Sequence, residues 1–233
     1  MSQRIEIAPA SYGFAFNVYR TEAINFEDVL HTLKKDELSA DLEKLKPGFI
    51  KIEGYDRSFV SSVFAFPQKK EVEALKKGLV CKLEIPVLDT ARILFPDRSA
   101  TSGHLVVSGS ASAYKMALQW LSPFVNISGT YIRPDQERLF ELSEQAVVVK
   151  AQAFTCIPHA EIEKITLSGE LEDIYSYELP LREAEISFTQ GVFSTPAGVV
   201  TIKYSRAGKT TIAKRKNASV SLELLKWAIE QIA

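Results

Sequence analysis

The chain has 233 residues, 46% hydrophobic and 24% charged, with a formal net charge of −1; this balance excludes a disordered tail, a collagen-like repeat and a fibrous rod, and supports a core without metal or disulfide. No apolar run reaches the roughly 18 residues of a membrane span, and the opening MSQRIEIAPA lacks the apolar stretch of a secretory signal. A cytoplasmic protein without a membrane partner, forming one large domain or two ordinary ones, is expected.

The first element in chain order is a helix over NFEDVLHTLKK, capped by Asn25, with Phe26, Val29, Leu30 and Leu33 as its apolar stripe and Glu27 and Asp28 at its positive end. The stripe resumes through Leu38, Leu42 and Leu45 until Pro47-Gly48 stops it, which predicts a second short helix or a kinked continuation. FVSSVFAF and LVCKLEI then show the two-residue alternation of strands with one face on a core. Asp56 falls in a GYDRS turn, and Asp89 is placed to cap LDTARIL. SGHLVVSG ends as a strand at Ser108, before a serine-capped helix in SAYKMALQWL.

PFVNISGTYIRPD is the expected connection, dividing the chain into a first half at 1–123, a link at 124–134 and a second half at 135–233. After Pro134 comes a helix in PDQERLFELSEQ, then alternating strands in ITLSGEL, YSYELPL, AEISFTQ and VVTIKY, with Pro180 marking an edge. The last helix, SLELLKWAIEQIA, buries Leu222, Leu225, Ile229 and Ile232 and leaves Glu223, Lys226 and Glu230 on its other side. SGHLVVSGSASAYKMALQWL and AGKTTIAKRKNASVSLELLKWA echo one another, aligning Gly103 with Gly208, Ser112 with Ser219 and Trp120 with Trp227. The expected fold class is α+β, two pseudo-duplicated halves of mainly antiparallel sheet covered by amphipathic helices.

Chemical motifs are sparse. Cys81 and Cys156 read as buried free thiols of a reducing compartment. His31, on a helix surface, and His104 and His159 have no histidine or cysteine neighbour at ligand spacing, so neither a metal nor another cofactor is expected. Ser108 lacks the preceding glycine of a nucleophile elbow. Glu53, Asp56 and Asp89 lie near strand ends, where a metal-dependent enzyme could gather them, but turns and caps account for them more simply.

Charge is placed unevenly. Arg133 to Glu185 holds twelve acidic and five basic residues, whereas Ile186 to Leu222 holds no acidic residue and six cations: Lys203, Arg206, Lys209, Lys214, Arg215 and Lys216. The Gly-Lys-Thr of SRAGKTTIAKRK is not a phosphate loop, because Lys203 stands where the first glycine belongs and a strand-like run follows where a helix is required. It reads as a basic β-hairpin, with Arg206 and Lys209 at or beside its tip and phosphate as its natural partner.

Three segments resemble the eukaryotic and archaeal type of DNA sliding clamp: GFIKIEGYDRSFVSSVFAF from Gly48 to Phe66, VLDTARIL from Val87 to Leu94, and RLFELSEQAVVV with ITLSGEL downstream. The resemblance implies a ring of subunits around duplex DNA, a short helix over 87–94, and a linker that receives client peptides. SGHLVVSG and its helix are similar to the repeated unit of TATA-binding-protein-like domains, which implies a saddle backed by helices; Phe95 and Phe193 are read as core residues rather than intercalating wedges. The leading expectation is a non-catalytic DNA-associated protein, clamp-like or saddle-like, possessing no cofactor, that contacts the phosphates of duplex DNA through the six cations. Client proteins and a homo-oligomer belong to the same expectation. The alternatives are a protein-interaction scaffold that does not bind nucleic acid and a metal-dependent enzyme with a carboxylate site.

Overall fold

The computed structural model describes residues 4–5, 13–22, 31, 41–55, 59–76, 78–96, 102–123, 127–157, 161–171, 183–213 and 219–233. Among these, antiparallel sheet predominates and three helices accompany it, an α+β composition. The strands are β1 (Arg4–Ile5), β2 (Gly13–Glu22), β3 (Gly48–Tyr55), β4 (Phe59–Lys76), β5 (Leu79–Pro96), β6 (Ser102–Gly109), β7 (Ile127–Tyr131), β8 (Val148–Thr155), β9 (Lys164–Leu171), β10 (Glu185–Thr195), β11 (Gly198–Ser205), β12 (Lys209–Ala213) and β13 (Val220–Ser221). The helices are α1 (Ala111–Leu121), α2 (Gln136–Gln145) and α3 (Leu222–Glu230).

Two compact units divide the chain, one of Met1–Val18 with Tyr131–Ala233 and the other of Tyr19–Thr130. The division falls between Thr130 and Tyr131, and the chain start groups with the C-terminal unit. In that unit the strand order is β2-β12-β11-β10-β8-β9, every pairing antiparallel. Strand alternation places Phe14 opposite Ile212 and Ile202 opposite Ile212, so one face gathers Phe14, Phe16, Ile202, Tyr204 and Ile212, all fully buried. Each such side chain contributes about 1.5–3 kcal/mol on leaving water.

The helices of this unit start where side-chain oxygens meet orphan N–H groups. Asp135 accepts from the Arg138 N–H at 2.8 Å, and Ser221 accepts from the Leu224 N–H at 3.2 Å. Leu139 and Leu142 of α2 are buried and α2 packs on β10, while Leu222, Leu225, Ile229 and Ile232 are buried as the apolar stripe predicts. Trp227 tilts against Phe193 at 6.0 Å, and Phe193 meets Tyr204 edge-on at 5.7 Å. The Arg138 guanidinium donates to the Gln231 carbonyl at 2.5 Å, supplying a donor to the carbonyl of the residue that caps the C-terminus of α3.

In the other unit β3-β4-β5-β6 run in order and antiparallel, with α1 packed on β4, β5 and β6. Phe49 stands edge-on to both Phe64 at 5.2 Å and Trp120 at 4.9 Å. Phe95 and Phe193 are core residues, as expected.

Several local expectations give way. Residues 41–46 form a turn closed by an Asp41–Lys46 bridge with Leu45 at φ 51°, not the predicted helix, because the Asp41 carboxylate captures the Glu43 and Lys44 N–H groups. The helix expected over 87–94 is strand: β5 pairs with β4 from Leu79 to Pro96 and with β6 from Ala91 to Leu94, and this ladder overrides the local leucine spacing. Asp89 therefore caps no helix of its own. The serine caps are Ser110 and Ser221 rather than Ser112 and Ser219. LVCKLEI is a strand without a covered face, since Leu79, Val80, Leu83 and Ile85 are exposed. The thiols are free but not buried: Cys81 is half-buried and Cys156 exposed. The predicted helix over 25–35 and the YSYELPL strand lie outside the described residues, apart from His31, which is helical and exposed.

Candidate functional site

The basic hairpin exists. β11 and β12 are joined across Arg206, Ala207 and Gly208, with the Gly208 N–H donating to the Ser205 carbonyl at 2.8 Å. A strand, not a helix, follows Lys209, so the phosphate-loop geometry is absent here. Gly208 sits at φ 80°, and a Cβ there would stand 2.4 Å from the Tyr131 ring and 2.6 Å from the Ile132 carbonyl oxygen. Only glycine satisfies both the turn and the approach. The Asn17 amide donates to the Gly208 carbonyl at 3.0 Å, holding the turn from the neighbouring strand β2.

Against this turn lies a cleft of about 360 Å³ lined by Thr155, Ser187, Phe188, Lys203, Ser205, Arg206, Ala207, Lys209 and Thr211. Register explains why these residues meet. Phe188 is opposite Ser205 across β10 and β11, and Lys203 is opposite Thr211 across β11 and β12, so alternation turns this set away from Tyr204 and Ile212 in the core. A register shift between Ile186 and Phe188 leaves Ser187 as an irregularity whose carbonyl accepts from the Arg206 N–H at 2.9 Å.

Three ammonium groups converge here. The Lys203 Nζ lies 3.5 Å from the centroid of the Phe188 ring, and the Lys164 Nζ lies 5.9 Å from the same centroid. Burial lowers the Lys203 pKa, and the charges of Lys164 and Lys209 lower it further. Such mutual repulsion is relieved by an anion placed among the ammonium groups. Ser187, Ser205 and Thr211 line the same cleft and carry hydroxyls able to donate to that anion's oxygens, whereas the Thr155 hydroxyl donates to the Glu185 carbonyl at 3.4 Å.

Arg206 differs from the lysines. Its guanidinium Nη1 donates to Glu185 Oε2, the carboxylate also accepting from the Cys156 thiol at 3.3 Å. The hydrogen bond from Arg206 holds the Glu185 carboxyl below its ordinary value, and the bond to Glu185 raises both Arg206 and the Cys156 thiol. Arg206 is thus a partly neutralised cation, a feature that the absence of acidic residues after Ile186 concealed.

Of the six predicted cations the structure brings Lys203, Arg206 and Lys209 to one cleft; Lys214, Arg215 and Lys216 lie outside the described residues. Sequence reasoning missed Lys164 and Phe188. Lys164 sits in the acidic half of the charge distribution, and its only available signal was its place at the head of the ITLSGEL strand.

The carboxylate alternative does not assemble around Asp89. Its carboxylate accepts from the Gln68 amide, from Ser112 Oγ at 3.0 Å and from the Lys70 ammonium at 3.4 Å. Desolvation opposes ionisation there, but the bonds from Ser112 and Lys70 outweigh it and hold the pKa below the ordinary aspartate value. Glu53 lies in β3 and Asp56 outside the described residues; no group of three metal-ligating side chains occurs among the described residues. His104 is half-buried in β6, its pKa lowered by burial and by the charge of Arg20. Among the described residues no helix is long and apolar enough to cross a membrane.

No protein-family model matches the chain, and no curated protein matches it.

Proposed function

We propose that the chain is a non-catalytic DNA-associated protein that holds backbone phosphates of duplex DNA in the cleft around Lys203. The observation that carries this reading is that Lys203, in a cleft it shares with Lys209, lies at the Phe188 ring together with Lys164 and feels the charge of both other lysines. The arrangement suits phosphate: several cations at one point, polar donors around them, and no carboxylate between Lys203 and Lys209 along the hairpin. It contains no constellation for reading base edges, so binding is sequence-tolerant. Lys214, Arg215 and Lys216 extend the basic track along the chain, and Arg206 joins it on exchanging Glu185 for a phosphate.

The clamp-like or saddle-like form and the pseudo-duplication of two halves belong to this proposal. Two serine-capped helices, α1 and α3, each setting a tryptophan against a buried phenylalanine, support the duplication. A cytoplasmic location fits the two free thiols.

The test is binding of labelled linear and circular duplex to the full chain at several salt concentrations, beside a Lys164→Ala/Lys203→Ala/Lys209→Ala variant. Each phosphate that the variant no longer neutralises flattens the log–log salt slope by roughly 0.9. A variant whose affinity and slope equal those of the parent would remove the assignment, and no binding by the parent at low salt would give first place to a protein-interaction scaffold.

A further inference from the structure

The β4–β5 hairpin extends well past its neighbours. β3 pairs with β4 only as far as Ala65, and β6 pairs with β5 only from Ala91, whereas β4 and β5 remain paired out to Lys76–Leu79. Among the described residues the outer part is a two-stranded arm with both edges open. An isolated arm of this kind is marginal in water, and an open, apolar edge is a template for another strand.

Cross-strand pairs share a face. Lys70–Ile85, Val72–Leu83 and Ala74–Cys81 lie on one side, continuing the face whose inner pairs Ser62–Ile93 and Phe64–Ala91 are buried. At the arm's root Asp89, also on that side, is held by Ser112 of α1, and beyond it the helix gives no cover. The opposite side carries Lys69, Glu71, Glu73, Lys82 and Glu84, with Lys69–Glu84 at 3.4 Å and Lys82–Glu71 at 2.7 Å as internal ion pairs. Leu79 is 74% exposed, Val80 67%, Leu83 42% and Ile85 40%.

We propose that the β5 edge of this arm pairs antiparallel with the same edge of a second copy of the chain, on a two-fold axis at Leu83. The occupant follows from charge complementarity. With the axis at Leu83, Lys82 stands opposite Glu84 of the partner subunit, and Glu84 opposite Lys82 of the partner subunit. On the apolar side Leu83 meets its own copy, Cys81 faces Ile85 of the partner subunit, and Leu79 faces Val87 of the partner subunit. Moving the axis by one residue sets Lys82 or Glu84 against itself. Moving it by two leaves neither charge opposite the other, so the Leu83 register is the one that keeps the apolar side together and pairs both charges, and the interface is isologous, closing at two subunits.

Backbone geometry agrees. The strands are separated by two residues, so Lys76–Leu79 closes the hairpin as a hydrogen-bonded pair, and alternation then directs the N–H and C=O groups of Val80, Lys82 and Glu84 away from β4. Those groups are the ones the partner edge needs. Pro86 offers no N–H and ends the ladder beyond it. The edge Leu79–Val87 is about 30 Å long, small beside a standard interface of roughly 1,600 Å², so a dimer with a dissociation constant of about 10–100 μM is expected.

This inference is independent of the nucleic-acid reading and is tested without DNA, by sedimentation of the full chain from about 1 μM to 1 mM. The parent is expected to dimerise. A K69E/E71K/E73K/K82E/E84K variant keeps every charge pair inside the arm and across the axis, so it dimerises with itself but mixes with the parent at least tenfold less readily. In a Cys81→Ser/Cys156→Ser background, Leu83→Cys is expected to form a disulfide dimer on mild oxidation, because residues opposed in a non-hydrogen-bonded pair stand about 4.5 Å apart. A parent that stays monomeric to 1 mM, leaving the edge to some other protein, overturns the proposal. So does free mixing of the two charge patterns, or no preference for cross-linking at position 83 over position 79.

Discussion

Lys203 places its ammonium 3.5 Å from the centroid of the Phe188 ring, with Lys164 and Lys209 near enough to depress its pKa after burial has already done so. The sign of the pH effect follows. A lysine held below the ordinary 10.5 loses its charge earlier as pH rises. Phosphate-dependent binding is therefore full near neutrality and declines on the alkaline side before an ordinary lysine would titrate. Lys203→Arg, which retains its charge, should abolish that decline. Binding titrated from about pH 7 to 10 checks this, and an identical profile for parent and variant would count against Lys203 as a phosphate ligand.

Glu185 holds the guanidinium of Arg206 at the mouth of the same cleft. Glu185→Gln removes a negative charge and frees Arg206 for an anion. Affinity for duplex at low salt should rise by about two- to fivefold, the scale of an exposed pair, and the salt slope should steepen. A fall in affinity would show that the pair positions Arg206 rather than restraining it.

Gly208→Ala tests the hairpin's foundation. The substitution meets both a positive φ and the ring of Tyr131, and stability should drop by about 2 kcal/mol or more. Thermal unfolding reads the loss directly; an unchanged midpoint would mean that the turn is not held as described.

Tyr204 is fully buried, its hydroxyl has no hydrogen-bond partner among the described residues, and burial raises its pKa far above the ordinary value. Tyr204→Phe removes a polar atom that gains nothing in the core and should stabilise the fold by about 1 kcal/mol. Urea denaturation measures it. A loss of stability in the phenylalanine variant would reveal a bonded hydroxyl.

Legibility differed between short-range and long-range features. The alternation in VVTIKY, the helices within SAYKMALQWL, PDQERLFELSEQ and SLELLKWAIEQIA, and the stripe of Leu222, Leu225, Ile229 and Ile232 appear as read, because strand period and helical period act within a few residues. AEISFTQ is a strand, but the shift at Ser187 breaks its alternation, turning Phe188 to the cleft and burying Thr189. LDTARIL misleads for the complementary reason. Its leucine spacing suits a helix, but eighteen consecutive β4–β5 pairs impose strand on it. The Asp41 turn misleads through a side chain that competes with the helix for backbone donors.

By itself the sequence determined a sheet-rich α+β chain, three of its helices and a basic hairpin closed at Gly208. Only the tertiary structure decided that Lys164 and Phe188 join Lys203, that Glu185 claims Arg206, and that β4 and β5 outrun their neighbours to leave an open arm. The physical reason is register: hydrogen-bonded strands bring residues far apart in the chain within side-chain reach, and which residues are opposed depends on ladders and irregularities that no local pattern specifies.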